Sequence, residues 1–188
     1  MRRTALPFAL LLGACATADG GPPTARDLRG EPVAPQHAPP GSVHVVVVTS
    51  HECAIANGYA PTLRELAASW SGSPVRLFLV HVDPDLTPAA AAAHAESFSL
   101  PGTLLLDPHG RLARHLGATR TPEALVFTAT GLVYRGRIDD RWRALGARRP
   151  TATRHDLRDA VAIALGGGTV PTPHPPAVGC LLPDPIGP

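Results

Sequence analysis

Val43-His44-Val45-Val46-Val47-Val48-Thr49-Ser50-His51-Glu52-Cys53-Ala54-Ile55-Ala56-Asn57-Gly58-Tyr59-Ala60-Pro61 puts a buried strand, a thiol-bearing turn and the start of a helix into one run. Val43 to Val48 is almost entirely β-branched and lies between Gly41 and Ser50. A continuous apolar run of that length suits a central strand covered on both faces. Ala56, Tyr59, Ala60, Leu63, Leu66, Ala67 and Trp70 then recur at spacings of three and four, one apolar helical stripe, and Ser71-Gly72-Ser73-Pro74 ends it. Cys53 falls between strand and helix. A thiol there faces the unpaired N–H groups at a helix start, which favour thiolate over thiol.

Outward from this run the elements alternate. Val75 to Val82 reads as a second buried strand closed by Asp83-Pro84-Asp85. Thr87 is placed to cap a helix with Pro88 in its first turn, running to about Phe98. Gly102 to Leu106 suits a short strand and Leu112 to Leu116 a short helical segment. Ala124 to Phe127 and Leu132 to Arg135 form a hairpin pattern around Thr128-Ala129-Thr130-Gly131. Thr153 is expected to cap a last helix with apolar face Leu157, Ala160, Val161, Ala164 and Leu165, stopped by three glycines. Strand, helix, strand, helix, hairpin, helix implies an α/β fold with a mixed central sheet flanked by helices, over residues 42–168.

Both ends differ in character. Arg2 and Arg3 precede the apolar stretch Thr4 to Ala14, too short for a permanent span and patterned as a signal peptide over residues 1–14. It ends Leu12-Gly13-Ala14-Cys15, which resembles the bacterial lipobox, so Cys15 is expected to be lipidated and to attach the chain to a membrane of the cell envelope, facing the periplasm. Residues 15–41 read as a Pro-, Gly- and Ala-rich flexible tether, and residues 169–188 as a Pro-rich tail extended across the surface.

All 17 basic residues are Arg, which excludes a Schiff-base lysine and a P-loop. Without Arg2 and Arg3 the remaining 15 Arg balance 15 Asp and Glu, so no nucleic-acid partner is expected.

The run from Cys53 to Pro61 resembles the Cys-Pro-Ile-Ser-Asn-x-Tyr-Ala-Pro segment of bacterial redoxin-domain proteins, members of the thioredoxin-like superfamily that include thiol-disulfide oxidoreductases and alkyl hydroperoxide reductase-like proteins. Thr121-Pro122-Glu123-Ala124, Tyr134 to Arg141, Thr153 to Ala160 and Val178-Gly179-Cys180 match further segments, so the resemblance spans about residues 42–182. It implies a thioredoxin-like fold and chemistry at Cys53 on a disulfide or peroxide. Pro122 would be cis, with Thr121 beside it holding an extended substrate. It implies a monomer, and no cofactor.

The departures from the family pattern decide how such chemistry would run. Ala56 stands where a dithiol thioredoxin has its second cysteine, so no local shuttle exists. Ser50 fills the hydroxyl place of the peroxiredoxin signature, but Val46 fills its proline place. Cys180 in the tail is then a resolving thiol, half of a structural bridge, or unpaired. His51, Cys53 and Cys180 together offer an alternative copper or zinc set; the simpler reading makes His51 a loop histidine that tunes the thiol. Three readings stand: an oxidoreductase, a thioredoxin-fold binding module without turnover, and a copper-binding chaperone. Asn57 reads as a helix cap. Arg135, Arg137, Arg141, Arg143, Arg148, Arg149 and Arg154 read as an ion-paired surface, and His81, His94, His109 and His115 as surface or packing residues.

Overall fold

The computed structural model describes residues 22–183 of the protein; the leader and Cys15 lie outside the described residues. The valine run forms β3 (Val43–Thr49), whose every residue is buried. It pairs in parallel with β4 (Val75–His81), which pairs in parallel with β5 (Thr103–Leu106). On its other side β3 takes β7 (Glu123–Thr128) antiparallel, and β7 takes β8 (Gly131–Gly136) antiparallel. The segment expected as a tether supplies β1 (Ala25–Asp27) and β2 (Pro32–Val33), giving the sheet order β2-β1-β5-β4-β3-β7-β8. Composition concealed these strands because each is only two or three residues long. Pairing with β5 and burial of Ala25 in the core hold them, rather than any periodicity of their own.

Alternation along β3 divides the core. Val43, Val45 and Val47 face a cluster with Ile55, Tyr59, Leu63, Leu66, Leu157 and Val161. Val46 and Val48 face the opposite cluster with Phe78, Val80, Leu105, Leu112 and Phe127. Burial of each such valine stabilises the fold by about 1.5–3 kcal/mol, so this strand is the centre of the architecture. α1 (Ala54–Gly58), α2 (Ala60–Ser69) and α5 (Asp156–Leu165) cover the first face, and α4 (Arg111–His115) covers the second. α3 (Pro88–Phe98) is capped as expected, with Thr87 Oγ1 accepting from the Ala90 N–H at 3.2 Å.

Two helix expectations are corrected as well. The single helix expected from Ala56 to Trp70 is broken at Tyr59, because Pro61 has no N–H to offer the Asn57 carbonyl and its ring crowds that turn. Tyr59, at the break, donates its hydroxyl to Asp139 Oδ1 at 2.8 Å. Thr153 does not cap the last helix, which starts at Asp156; Asp140 takes the Thr153 hydroxyl at 2.6 Å and its N–H at 2.7 Å. Between hairpin and helix lies a small ribbon, β9 (Trp142–Ala144) with β10 (Ala147–Arg148). Among the described residues no helix is long and apolar enough to cross a membrane. The mixed sheet between helical layers is the thioredoxin-like arrangement.

Candidate active site

Cys53 stands at the first turn after β3, 2 % exposed. Across from it, β6 (Arg120–Thr121) leads through a cis peptide bond between Thr121 and Pro122 into β7. The tail returns as β11 (Cys180–Leu181), antiparallel to β6, with Cys180 opposite Thr121 and Leu181 opposite Arg120. Cys53 Sγ thereby lies 3.1 Å from the Thr121 carbonyl oxygen and 2.6 Å from Cys180 Sγ. The four residues expected to form the site, Cys53, Thr121, Pro122 and Cys180, meet at one place. Both cysteines are free thiols, one buried and one exposed.

The thiols are electrostatically unequal. Burial pushes the Cys53 thiol up, but hydrogen bonds from the Cys180 thiol and from the Ala56 and Cys180 amides outweigh it and hold Cys53 below the ordinary thiol range. Burial, and then the Cys53 sulfur beside it, push Cys180 up to about 11. The first proton to leave the pair therefore leaves Cys53, and the thiolate accepts from the Cys180 S–H. The direction matches the expectation of an acidic Cys53: the Ala56 amide, in the first turn of α1, is one of its causes, and Cys180 adds donors from outside the helix.

Asp83 fixes the loop that carries Cys53. Its carboxylate accepts from Ser50 Oγ at 2.5 Å and from the His51 N–H at 3.1 Å, and His51 Nδ1 sits 3.1 Å away. Burial raises this carboxyl, yet bonds from His81, Ser50 and His51 override it and hold it well below the usual carboxylate range. Asn57 is a bridge rather than a cap: its side chain donates to the His51 carbonyl at 2.8 Å and meets His94 Nε2 at 2.9 Å. His81 and His94 pack edge to face beside Asp83, with ring centroids 5.6 Å apart. Sequence reasoning missed this grouping because its members come from three elements with no common spacing. Only Asp83, ending a buried strand opposite the thiol turn, was a usable signal.

His51 turns toward Asp83. Among the described residues no group of three or more His, Cys, Asp or Glu is arranged to hold a metal ion. The arginine surface is ion-paired where expected, with Arg137 Nε 2.7 Å from Asp156 and Arg149 Nη1 3.2 Å from Asp140.

Tail and loop are fastened independently of the sulfurs. Glu123 Oε2 accepts from the Thr119 N–H at 2.8 Å and the Arg120 N–H at 3.3 Å, which shapes the turn before Pro122. Arg120 Nη1 donates to the Gly179 carbonyl at 3.3 Å, the Leu182 N–H to the Thr119 carbonyl at 3.3 Å, and the Arg137 N–H to the Pro175 carbonyl at 3.1 Å.

No protein-family model matches the sequence, nor does any curated protein. Solved structures do. An uncharacterized conserved protein of Geobacillus kaustophilus superposes with a TM-score of 0.73 at 21% identity, over 88% of this chain and 89% of that one. A hypothetical protein of Sinorhizobium meliloti superposes at 0.71 and 23% identity, over 87% and 91%. A secreted disulfide oxidoreductase of Mycobacterium tuberculosis, homologous to Escherichia coli DsbE, gives 0.54 at 21% identity, over 75% and 95%. Likeness at such identities establishes architecture: this is a protein of thioredoxin-like fold, with two neighbouring free thiols where β3, β6 and β11 converge.

Proposed function

We propose that the protein is a thiol-disulfide oxidoreductase whose redox pair is Cys53 and Cys180. The observation that carries this is the 2.6 Å approach of the two sulfurs, built by the β6–β11 ladder from residues far apart in sequence. In the reduced protein the Cys53 thiolate attacks one sulfur of a substrate disulfide. A mixed disulfide forms, and the other substrate sulfur leaves as a thiolate and takes up a proton. The mixed disulfide carries no charge on Cys53, which relieves one cause of the raised Cys180 value. Cys180 then gives up its proton and attacks the Cys53 sulfur, forming the Cys53–Cys180 disulfide and expelling the second substrate thiolate. Two electrons pass from the cysteine pair to the substrate, and an external dithiol restores them.

A disulfide substrate is favoured over a peroxide by Ser50. Its hydroxyl, in the place expected to orient a peroxide, is bonded to Asp83 instead. The substrate class is protein or small-molecule disulfide, and the Leu12-Gly13-Ala14-Cys15 leader supports action at the cell envelope from a lipid anchor.

The test is mixed-disulfide trapping in the full chain. Cys180→Ser should accumulate Cys53-linked adducts with an added disulfide substrate and lose turnover, and Cys53→Ser should lose both. If the wild type shows neither adduct nor turnover with disulfide substrates, the reading falls and the site is a binding module.

A further inference from the structure

We propose that β11 is a resident substrate mimic: it occupies the edge of β6 where an extended peptide would dock, and it does so only because the residue before its cysteine is glycine. The inference rests on the oxidoreductase reading for its chemistry but not for its geometry.

In this fold Thr121 presents its backbone beside the reactive sulfur, and its carbonyl lies 3.1 Å from Cys53 Sγ. A peptide bringing a cysteine sulfur to Cys53 in register with this edge would lie where Cys180 lies, opposite Thr121. Such strand addition takes its affinity from main-chain hydrogen bonds and its selectivity from side-chain fit. The place is already filled. Cys180 and Leu181 pair with Thr121 and Arg120, and Leu182 continues onto Thr119.

Gly179 sets the fit. A Cβ there would stand 2.6 Å from the Thr121 carbonyl carbon and nearer still to its oxygen, with Pro122 N at 3.1 Å; real Cβ atoms essentially never approach a neighbour within 3.0 Å. The obstacle is backbone, pinned between β3 and the Glu123-braced turn, so it cannot rotate aside. No side chain at the position before the cysteine is compatible with this register. The tail satisfies that rule, and an incoming disulfide peptide docked in the same register must satisfy it too and displace the tail. The substrate class is thereby narrowed to extended segments in which glycine precedes the reacting cysteine. While the tail is seated it also shields Cys53, which is 2 % exposed beneath it.

Two measurements on the full chain test this. The first compares Cys180→Ser with Gly179→Ala/Cys180→Ser, following iodoacetamide alkylation of Cys53 and hydrogen exchange at the Leu182 amide. Unseating should speed alkylation at least about tenfold at fixed pH, because the shielding strand is gone, and should remove Leu182 protection. Unchanged Leu182 protection in the Gly179→Ala variant would overturn the steric rule. Loss of protection with no gain in Cys53 reactivity would overturn the shielding.

The second measurement needs no change at Gly179. Cys180→Ser is mixed with short peptides whose cysteine carries a thionitrobenzoate disulfide, identical except for Gly or Ala before the cysteine. The Cys53 thiolate displaces the coloured thionitrobenzoate anion and forms a disulfide with the peptide. Rates are read at peptide concentrations where they still rise linearly with peptide, so that docking rather than unseating of the tail is read. The second-order rate constant for Gly should exceed that for Ala by at least about tenfold, a difference of about 1.4 kcal/mol in the barrier. Equal rates would overturn the docking rule. If the first measurement behaves as expected while the wild type never turns over, the seated tail stands and the oxidoreductase reading alone falls.

Discussion

Cys180 lies directly opposite Thr121 in an antiparallel ladder, and that register brings a thiol from the end of the chain to the sulfur that follows its central strand. A one-residue slip would turn Cys180 to the other side of β11 and put Leu181, now 71% exposed, against Cys53. The proximity of the two thiols is thus a product of strand pairing, and their properties should follow from the strand.

The unequal acidity of the two thiols is the first consequence. Cys53 should ionise below the ordinary thiol range, and Cys180 above it, near 11. Cys180→Ala removes the S–H donor that helps hold Cys53 down, so the Cys53 midpoint should rise in that variant. Ultraviolet thiolate absorbance against pH reads both. A midpoint equal in wild type and variant would mean that the tail thiol does not stabilise the thiolate.

In the oxidised protein, small external thiols should enter at Cys180. Cys180 is the exposed residue of the two and Cys53 the buried one, and attack on Cys180 expels Cys53, the better leaving thiolate because it is the more acidic. Brief treatment of the oxidised protein with limiting glutathione, acid quenching and mass mapping should find glutathione on Cys180. Finding it on Cys53 would show that the tail lifts before exchange.

Asp83 should matter to stability in a pH-dependent way. Its folded value is depressed, so its contribution is fully present above the unfolded carboxyl value of about 3.9 and is lost only as pH falls through the folded value. Asp83→Asn leaves the Ser50, His51 and His81 groups without their ionised partner and should cost about 1–3 kcal/mol at neutral pH. Urea denaturation should show that cost at neutral pH and show it shrinking below about pH 4, where the carboxylate is lost. A cost that stays constant into strong acid would show that the carboxylate charge is not what holds the loop.

The sequence made the parallel half of the fold legible, since Val43 to Val48 and Val75 to Val82 are buried runs whose flanks carry turn residues. It also placed Cys53 and the Thr121-Pro122 turn, because one follows the central strand and the other precedes the hairpin. What it concealed depends on tertiary partners. β1 exists as an addition to β5 and β2 as an addition to β1, α1 separates from α2 through Pro61 inside an unbroken apolar stripe, and His94 reaches Asn57 from another helix. Cys180 was visible as a candidate, but its strand is two residues long, and nothing local in a Pro-rich tail specifies a pairing with β6.

Ala56 provides the last test, because it occupies the place from which a local thiol would act. It is buried three residues beyond Cys53, and its amide already favours the Cys53 thiolate. A helix start and its third residue lie within disulfide reach, the arrangement that Cys-x-x-Cys sites use. Ala56→Cys adds one sulfur to a packed cluster, and overpacking there costs about 1–3 kcal/mol, which the fold should tolerate. If the role of Cys180 is to resolve the Cys53 adduct, the double variant Ala56→Cys/Cys180→Ser should recover turnover that Cys180→Ser alone has lost. Adducts trapped by the single variant should vanish from the double one. Resolution would then no longer need the tail thiol, and substrates should react at a rate set by how often the strand leaves β6. Adding Gly179→Ala should raise that rate further. If adducts persist in the double variant although its two remaining thiols oxidise to a disulfide under air, resolution by proximity fails as an account of the wild type, and Cys180 must act by another route.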